Sequence, residues 1–240
     1  MKQVFYGTLA VSAFFLVLCV LISVFLPNTI TNEASDEHEL IAITNELIKP
    51  EAYHNAVVSF SEKKDNGLEL YRSLNSRSAV VCFYSNIVGN TDVVLAILEY
   101  ADKNSIPLSL AFSLAYAESR YNVNAVNKNT NHSVDRGLFQ LNNRSFPALE
   151  EEEFFNPYIS AKHGMAHLRF CIDMAGNEIA GLAMYNAGAT KVRQNGTPQR
   201  TLNYVSIIMN YRDGLEELFR TQVCQYYSPN PVTYLAKVQD

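Results

Sequence analysis

The sequence predicts a mainly α-helical protein, a helical globular domain behind an N-terminal transmembrane helix. Three observations predict it. Val4 to Leu26 are 23 consecutive residues without a charge. Pro107 to Tyr121, PLSLAFSLAYAESRY, is apolar almost all round. Elsewhere, apolar residues recur at helical spacing between Asn, Ser, Thr, Gly and Pro boundaries. With 240 residues, 48% of them hydrophobic, one domain plus appendages is the natural reading.

The elements follow in chain order. As a helix the run 4–26 is about 34 Å long, enough for a hydrocarbon core of about 30 Å. Lys2 precedes it and Glu33, Asp36, Glu37 and Glu39 follow, so the positive-inside rule sends the C-terminal bulk outward. No small-residue cleavage site follows closely, so an uncleaved signal anchor is expected, with a cleaved signal peptide as the alternative. Ser35 to Ile48 has Leu40, Ile43, Leu47 and Ile48 at helical spacing, and Pro50 stops it. Asp65-Asn66-Gly67 signals a turn. Ala79 to Tyr84 fits a short strand or a buried helix equally. Thr91 is expected to cap a helix reaching about Asn104. Helices then fit 107–121, 158–175, 178–186 and 200–219, and the tail from Gln225, with Pro229 and Pro231, reads as extended.

Glu118 is the residue with the clearest chemistry. Pro107 suits a first helical turn, where its missing N–H costs nothing. A helix apolar on every side is a buried one. Asn122 and Asn124 bring helix-ending chemistry, which puts Glu118 in the last turn. Desolvation and the negative end of the helix dipole both disfavour its charged form. A carboxyl kept protonated near neutral pH is what a general acid requires.

From Glu118 the chain continues ESRYNVNAVNKNTNHSVDRGLFQLNNRSF. Glu118-Ser119, Asn122, Ala125, Asn127, Asn129-Thr130, Ser133, Asp135, the run Gly137 to Leu141, Asn142 and Arg144 resemble the active-site stretch of the lysozyme-like superfamily. Gly-Leu-Phe-Gln-Leu is similar to the motif after the catalytic Glu of soluble-lytic-transglycosylase-like domains. Met184-Tyr185-Asn186-Ala187-Gly188 resembles that family's Tyr-Asn-Ala-Gly signature. Asn156-Pro157, Gly164, Thr201 and Tyr204-Val205 fit its weaker marks. The chain departs from the pattern at Ser160, where Asn is usual, at His167, often Tyr, and at Leu202, commonly Arg. The resemblance covers about residues 89 to 220.

It implies a lysozyme-like catalytic domain over 89–222, with 27–88 a helical spacer or an N-terminal part of the same globule and 223–240 a tail. It also implies a peptidoglycan lytic transglycosylase. Glu118 would protonate the oxygen joining MurNAc to GlcNAc, then take the proton of the MurNAc C6 hydroxyl as a 1,6-anhydro ring closes. Ser119 and Gln140 would position Glu118 or the sugar, and Tyr185, Asn186 and Tyr204 would line the cleft. No cofactor and no metal are implied. The partners are peptidoglycan glycan strands and, through residues 4–26, a membrane. The expected location is the bacterial cell envelope, anchored in the inner membrane with the domain outside it, or secreted after signal cleavage.

Asp135 admits two readings. It lies in a loop before Gly137, where animal-type lysozymes place a second carboxylate, and would serve a hydrolysing muramidase that uses Glu118 and Asp135. Alternatively it is a turn-forming Asp bonded to its own backbone. A third function class is a membrane-tethered module that binds peptidoglycan without turnover, against which the Glu118-Ser119 pair stands.

The net charge of −5 argues against a nucleic-acid partner. Beyond the apolar run, Cys82, Cys171 and Cys224 would allow one disulfide in an oxidising exterior, in any of three pairings. His163 and His167 share the spacing of a zinc-protease motif but lack the Glu after the first His. Glu150 to Glu153 suit a solvated helix start. Lys191, Arg193 and Arg200 flank a Gly-Thr-Pro turn, either as a solvated loop or facing the acidic peptide stem of peptidoglycan. Nothing in the residues identifies a recruiting assembly.

Overall fold

The computed structural model describes residues 66–227. The apolar run 4–26, the periodic segment Ser35–Ile48 and the chain after Tyr227 lie outside these residues. Among the described residues no helix is long and apolar enough to cross a membrane.

Four helices lead in: α1 Gly67–Arg72, α2 Arg77–Val88, α3 Thr91–Lys103 and α4 Leu108–Ser119. A small antiparallel sheet follows, with β1 Val126–Lys128, β2 Val134–Arg136 and β3 Leu141–Asn142 in the order β1-β2-β3. A 3₁₀ turn, Glu151–Phe155, precedes α5 Pro157–Ala175, α6 Glu178–Ala187, α7 Ala189–Arg193 and α8 Gln199–Phe219. The last helix runs on through a π-helical turn, Arg220–Cys224, to Gln225–Tyr227. The described part is thus mainly helical, as its periodicity predicts.

Helix α4 is the axis of the packing. Every residue from Leu108 to Ala115 is buried, the two serines included. It packs along α8 and against α3. Leu108, Leu110, Phe112 and Leu114 are fully buried, and each such side chain contributes roughly 1.5–3 kcal/mol. Phe112 stacks on Tyr84 of α2 at 3.8 Å between ring centroids. The serines are satisfied inside the core. The Ser113 hydroxyl donates to the Ser109 carbonyl at 2.6 Å, and the Ser109 hydroxyl to Glu216 Oε1 at 2.8 Å. Arg212 pairs with both Glu216 and Glu178, so one network ties α4, α6 and α8 together.

Several boundaries differ from the sequence expectation. Ala79 to Tyr84 lies within helix α2, and Val80, Phe83 and Tyr84 bury one face at i, i+3, i+4 spacing. Asn90, not Thr91, caps α3, its side-chain oxygen accepting from the backbone N–H of Asp92 and Val93. Gly67, expected in a turn, opens α1. Glu150 and Glu153 form a capping box around a 3₁₀ turn rather than an α-helix start. The chain from Gln225 to Tyr227 is helical rather than extended. Neither Cys82 nor Cys171 is in a disulfide, so no pairing among the three cysteines forms.

Helix α4 ends one turn before Asn124. Arg120 and Tyr121 both take left-handed backbone, at φ 52 and 63. Aromatic packing holds this costly pair. The Tyr121 ring sits against Phe112 and Tyr116, its hydroxyl donates to Tyr211 at 3.2 Å, and Arg120 lies over the Tyr116 ring. The chain thereby leaves the helix sharply just past Glu118 and enters the sheet.

Candidate active site

A cleft of about 520 Å³ opens beside the end of α4. Glu118, Asp135, Gln140, Tyr185 and Asn186 line it, as do Asn129 to Asn131, Ser133 and Asn142 from the sheet side. Phe146, His167, Phe170 and Cys171 supply the α5 side, and Gly188, Ala189 and Arg200 the far end. Ser119 and Tyr204 are not among the lining residues; they stand behind the wall.

Glu118 reaches the cleft from the last turn of α4 and keeps part of its surface open. The Tyr204 hydroxyl donates to its Oε1 at 2.5 Å. Its pKa is raised to about 7. Burial is the main cause, the Asp135 carboxylate adds to it, and the Tyr204 hydrogen bond pulls the other way. Burial, with the charge of Glu118 next, holds the Tyr204 hydroxyl well above its ordinary range. Tyr204 is therefore a donor throughout the pH range of any enzyme.

Ser119 does not touch Glu118. Its hydroxyl contacts the carbonyls of Leu138, at 2.8 Å, and Ala115, at 3.2 Å. It fastens the end of α4 to the loop between β2 and β3. Gln140 sits in that loop at φ 46, in left-handed backbone. Its Nε2 donates to the carbonyls of Gly137, at 3.0 Å, and Ala125, at 3.1 Å. Its amide oxygen makes no hydrogen bond among the described residues, and Gln140 lines the cleft. Tyr185 donates its hydroxyl to the Phe139 carbonyl at 3.0 Å, while buried Ser160 accepts from the Phe139 N–H at 3.2 Å. Asn186 receives the Thr201 hydroxyl on its Oδ1 at 2.8 Å.

Gly137 makes this loop possible. Its φ is 74, and a Cβ there would lie 1.9 Å from the Phe154 carbonyl oxygen. Only glycine meets both conditions. Gly164 serves the same loop from α5, where a Cβ would come within 2.6 Å of the Phe139 side chain.

Asp135 corrects the sequence picture in one respect: it lies in strand β2, not in a turn. It faces Asn127 on β1 and Asn142 on β3 in register. Its side chain bonds amides, not its own backbone. Oδ1 accepts from Asn142 Nδ2 at 2.6 Å, and Oδ2 from Asn129 Nδ2 at 2.8 Å with Asn127 Nδ2 at 3.5 Å. Asn129 and Asn142 also bind the Ser133 hydroxyl. This Asn-Ser-Asp lattice is what the polar run after Glu118 builds. The run shows in the sequence, but the pairing of its members needs the sheet register.

His163 and His167 are occupied by aromatic neighbours: Phe146 lies 5.5 Å from one ring and 6.1 Å from the other. His167 also tilts against Tyr185 at 4.9 Å and joins the cleft wall. Cys171, one turn on, has its sulfur 3.8 Å from His167 Nε2. Burial lowers the His167 pKa and raises the Cys171 thiol to about 11, so both are neutral at pH 7.

The family model described as "Transglycosylase SLT domain" matches residues 96–207, a little under half of the chain. Protein IpgF of Shigella flexneri is 32% identical over 95 residues, a match spanning 37% of this chain and 62% of that protein. No solved structure matches the chain. Over residues 96–207 this chain is thus similar to the transglycosylase SLT domain, the lysozyme-like domain that its motifs resemble.

Proposed function

We propose that the protein is a peptidoglycan lytic transglycosylase cleaving the MurNAc–GlcNAc β-1,4 bond with formation of 1,6-anhydro-MurNAc. The observation that carries the proposal is the contrast between the two acids lining the cleft. Glu118, with a pKa near 7, can hold a proton and then give it up. Asp135 has both oxygens engaged by asparagine amides.

In the first step protonated Glu118 gives its proton to the glycosidic oxygen and the bond to MurNAc C1 breaks. The substrate's N-acetyl group supports the positive charge at C1. Carboxylate Glu118 then takes the proton of the C6 hydroxyl, O6 closes on C1, and the acid is restored without water. Tyr204 holds the carboxyl in both states. Ser119 works through the backbone, fixing the helix end to the loop. Gln140 offers an amide oxygen, and Tyr185 and Asn186 offer their surfaces to the sugars.

Glu118→Gln keeps the shape and loses the proton, so cleavage of sacculi should fall by at least roughly 10²–10⁴-fold while strand binding survives. Near-normal turnover by that variant would remove Glu118 from the mechanism, whereas strand binding with no cleavage by the parent protein would favour a module that binds without catalysis. The hydrolase reading has one observation in its favour, the presence of Asp135 in the same cleft. Mass analysis of the products decides between them. Anhydro ends are expected, and a gain of one water per cut would establish the muramidase. Asp135→Asn should slow the reaction less than Glu118→Gln and leave the products anhydro. Some loss is expected because an Asn carries one acceptor oxygen for amides that now use two.

The proposal extends to location: a domain held at the cytoplasmic membrane by residues 4–26 and facing the wall. The uncharged run Val4–Leu26 supports this. The protein should resist extraction by high salt and yield to detergent. A mature N-terminus near residue 30 would overturn the anchor.

A further inference from the structure

The ionisable side chains around the cleft are unequal. Glu118 and Asp135 are acids, and His167, Cys171 and Tyr185 are held neutral by burial. Arg200 is the one cation among the lining residues. Arg72, Arg136, Arg169, Arg212 and Arg220 each pair with a carboxylate. Arg200 makes no ion pair or hydrogen bond among the described residues. Its seat is nonetheless firm. Neighbouring Thr201 is fully buried and binds Asn186, fixing the start of α8 to the end of α6. From Asn186 to Arg212 the chain has no acidic residue, although its net charge is −5. Lys191 and Arg193 of α7 lie in the same stretch.

A strand of alternating GlcNAc and MurNAc carries no charge on its pyranose rings. Its ionised acids hang from the lactyl substituent of MurNAc. They are the lactyl carboxylate itself where no peptide is attached, or the carboxylates of an attached peptide. A guanidinium presents a fork of N–H donors that matches a carboxylate. We propose that Arg200 is a specificity-determining residue that grips such a carboxylate, so that the cleft prefers charged strands to neutral glycan. This inference rests on the transglycosylase reading.

The test compares the full-length protein with Arg200→Ala and Arg200→Lys on peptide-bearing strands and on strands freed of peptide by an amidase. Binding of each strand and of a neutral GlcNAc oligomer is measured separately in a Glu118→Gln background. Arg200→Ala should raise KM about tenfold on at least one charged strand, with a much smaller change in kcat. Arg200→Lys should recover part of the loss. Affinity for the neutral oligomer should stay put. A loss confined to peptide-bearing strands identifies a peptide carboxylate, and one confined to trimmed strands identifies the lactyl carboxylate. An unchanged KM on both, or an equal loss of affinity for the neutral oligomer, overturns the proposal. If the parent protein releases no product from any strand, the transglycosylase reading fails instead. The binding series then decides on Arg200 by the same criteria.

Discussion

Replacing Tyr204 with Phe removes one hydroxyl from behind the Glu118 carboxyl and keeps the ring. That hydroxyl donates to Glu118 Oε1, and it is the contact that holds the Glu118 pKa down, near 7, against burial and Asp135. A hydrogen bond to a charged group is worth about 1.5–3 kcal/mol. Protonated Glu118 keeps part of the bond through its carbonyl oxygen, so the difference between its two forms lies at the low end of that range. One pH unit corresponds to about 1.36 kcal/mol. In the proposed mechanism the reaction begins from protonated Glu118, so the rate should fall as pH rises through its pKa. In Tyr204→Phe that falling limb should move up by about one pH unit. The assay is the initial rate of release of soluble fragments from purified sacculi, from about pH 5 to 9, scaled to each protein's own maximum. The absolute maximum should drop, since the carboxyl loses an anchor. A falling limb that stays in place, or moves down, refutes the assignment of Tyr204 as the group that tunes Glu118.

Two further predictions concern stability. Folding raises the Glu118 pKa from 4.5 to about 7, so the folded protein holds a proton there that the unfolded chain loses. Stability therefore falls as pH rises through that window. Glu118→Gln escapes the loss and should exceed the parent by up to about 3 kcal/mol above neutrality, an upper bound because the side chain is partly open to the cleft. Its advantage should fade as pH drops below the carboxylate's ordinary value, and urea unfolding at two pH values would reveal a flat difference if the reasoning is wrong. Gly137→Ala should destabilise by about 3 kcal/mol or more, because the new Cβ meets the Phe154 carbonyl and φ is positive. A thermal midpoint within a degree or two of the parent's would contradict the loop geometry.

The sequence reveals the helices and hides the sheet, for a physical reason. Helix α4 and its terminal Glu118 are legible because eight consecutive buried positions leave an apolar signal that no polar face dilutes. The strands are three, three and two residues long, and all of β1 is exposed. Val-Asn-Lys and Val-Asp-Arg have no alternation to read, and their Asn and Asp content imitates turns. Their order comes from side-chain amides meeting across the register, as at Asp135. Helix α7 spans five residues with none buried, so it too leaves no periodic trace. Ser119 was legible as a site position but not in its action. That a hydroxyl beside Glu118 serves the Leu138 carbonyl depends on a loop nineteen residues on. The choice of Asn90 over Thr91 as cap turns on one backbone angle between two residues of similar chemistry.

Helix α4 has a consequence for how this protein ages and fails. Its acid is carried at the tip of the element with the least contact with water, locked by stacked rings and by an ion-pair network reaching two other helices. Segments that open locally are those with few buried contacts, and α4 is the reverse. On the proposed function, the acid should not be lost by local fraying of this core while the rest of the domain persists. If the proposed function holds, inactivation on heating should coincide with the collapse of this core, and a molecule that remains folded should keep its acid in place.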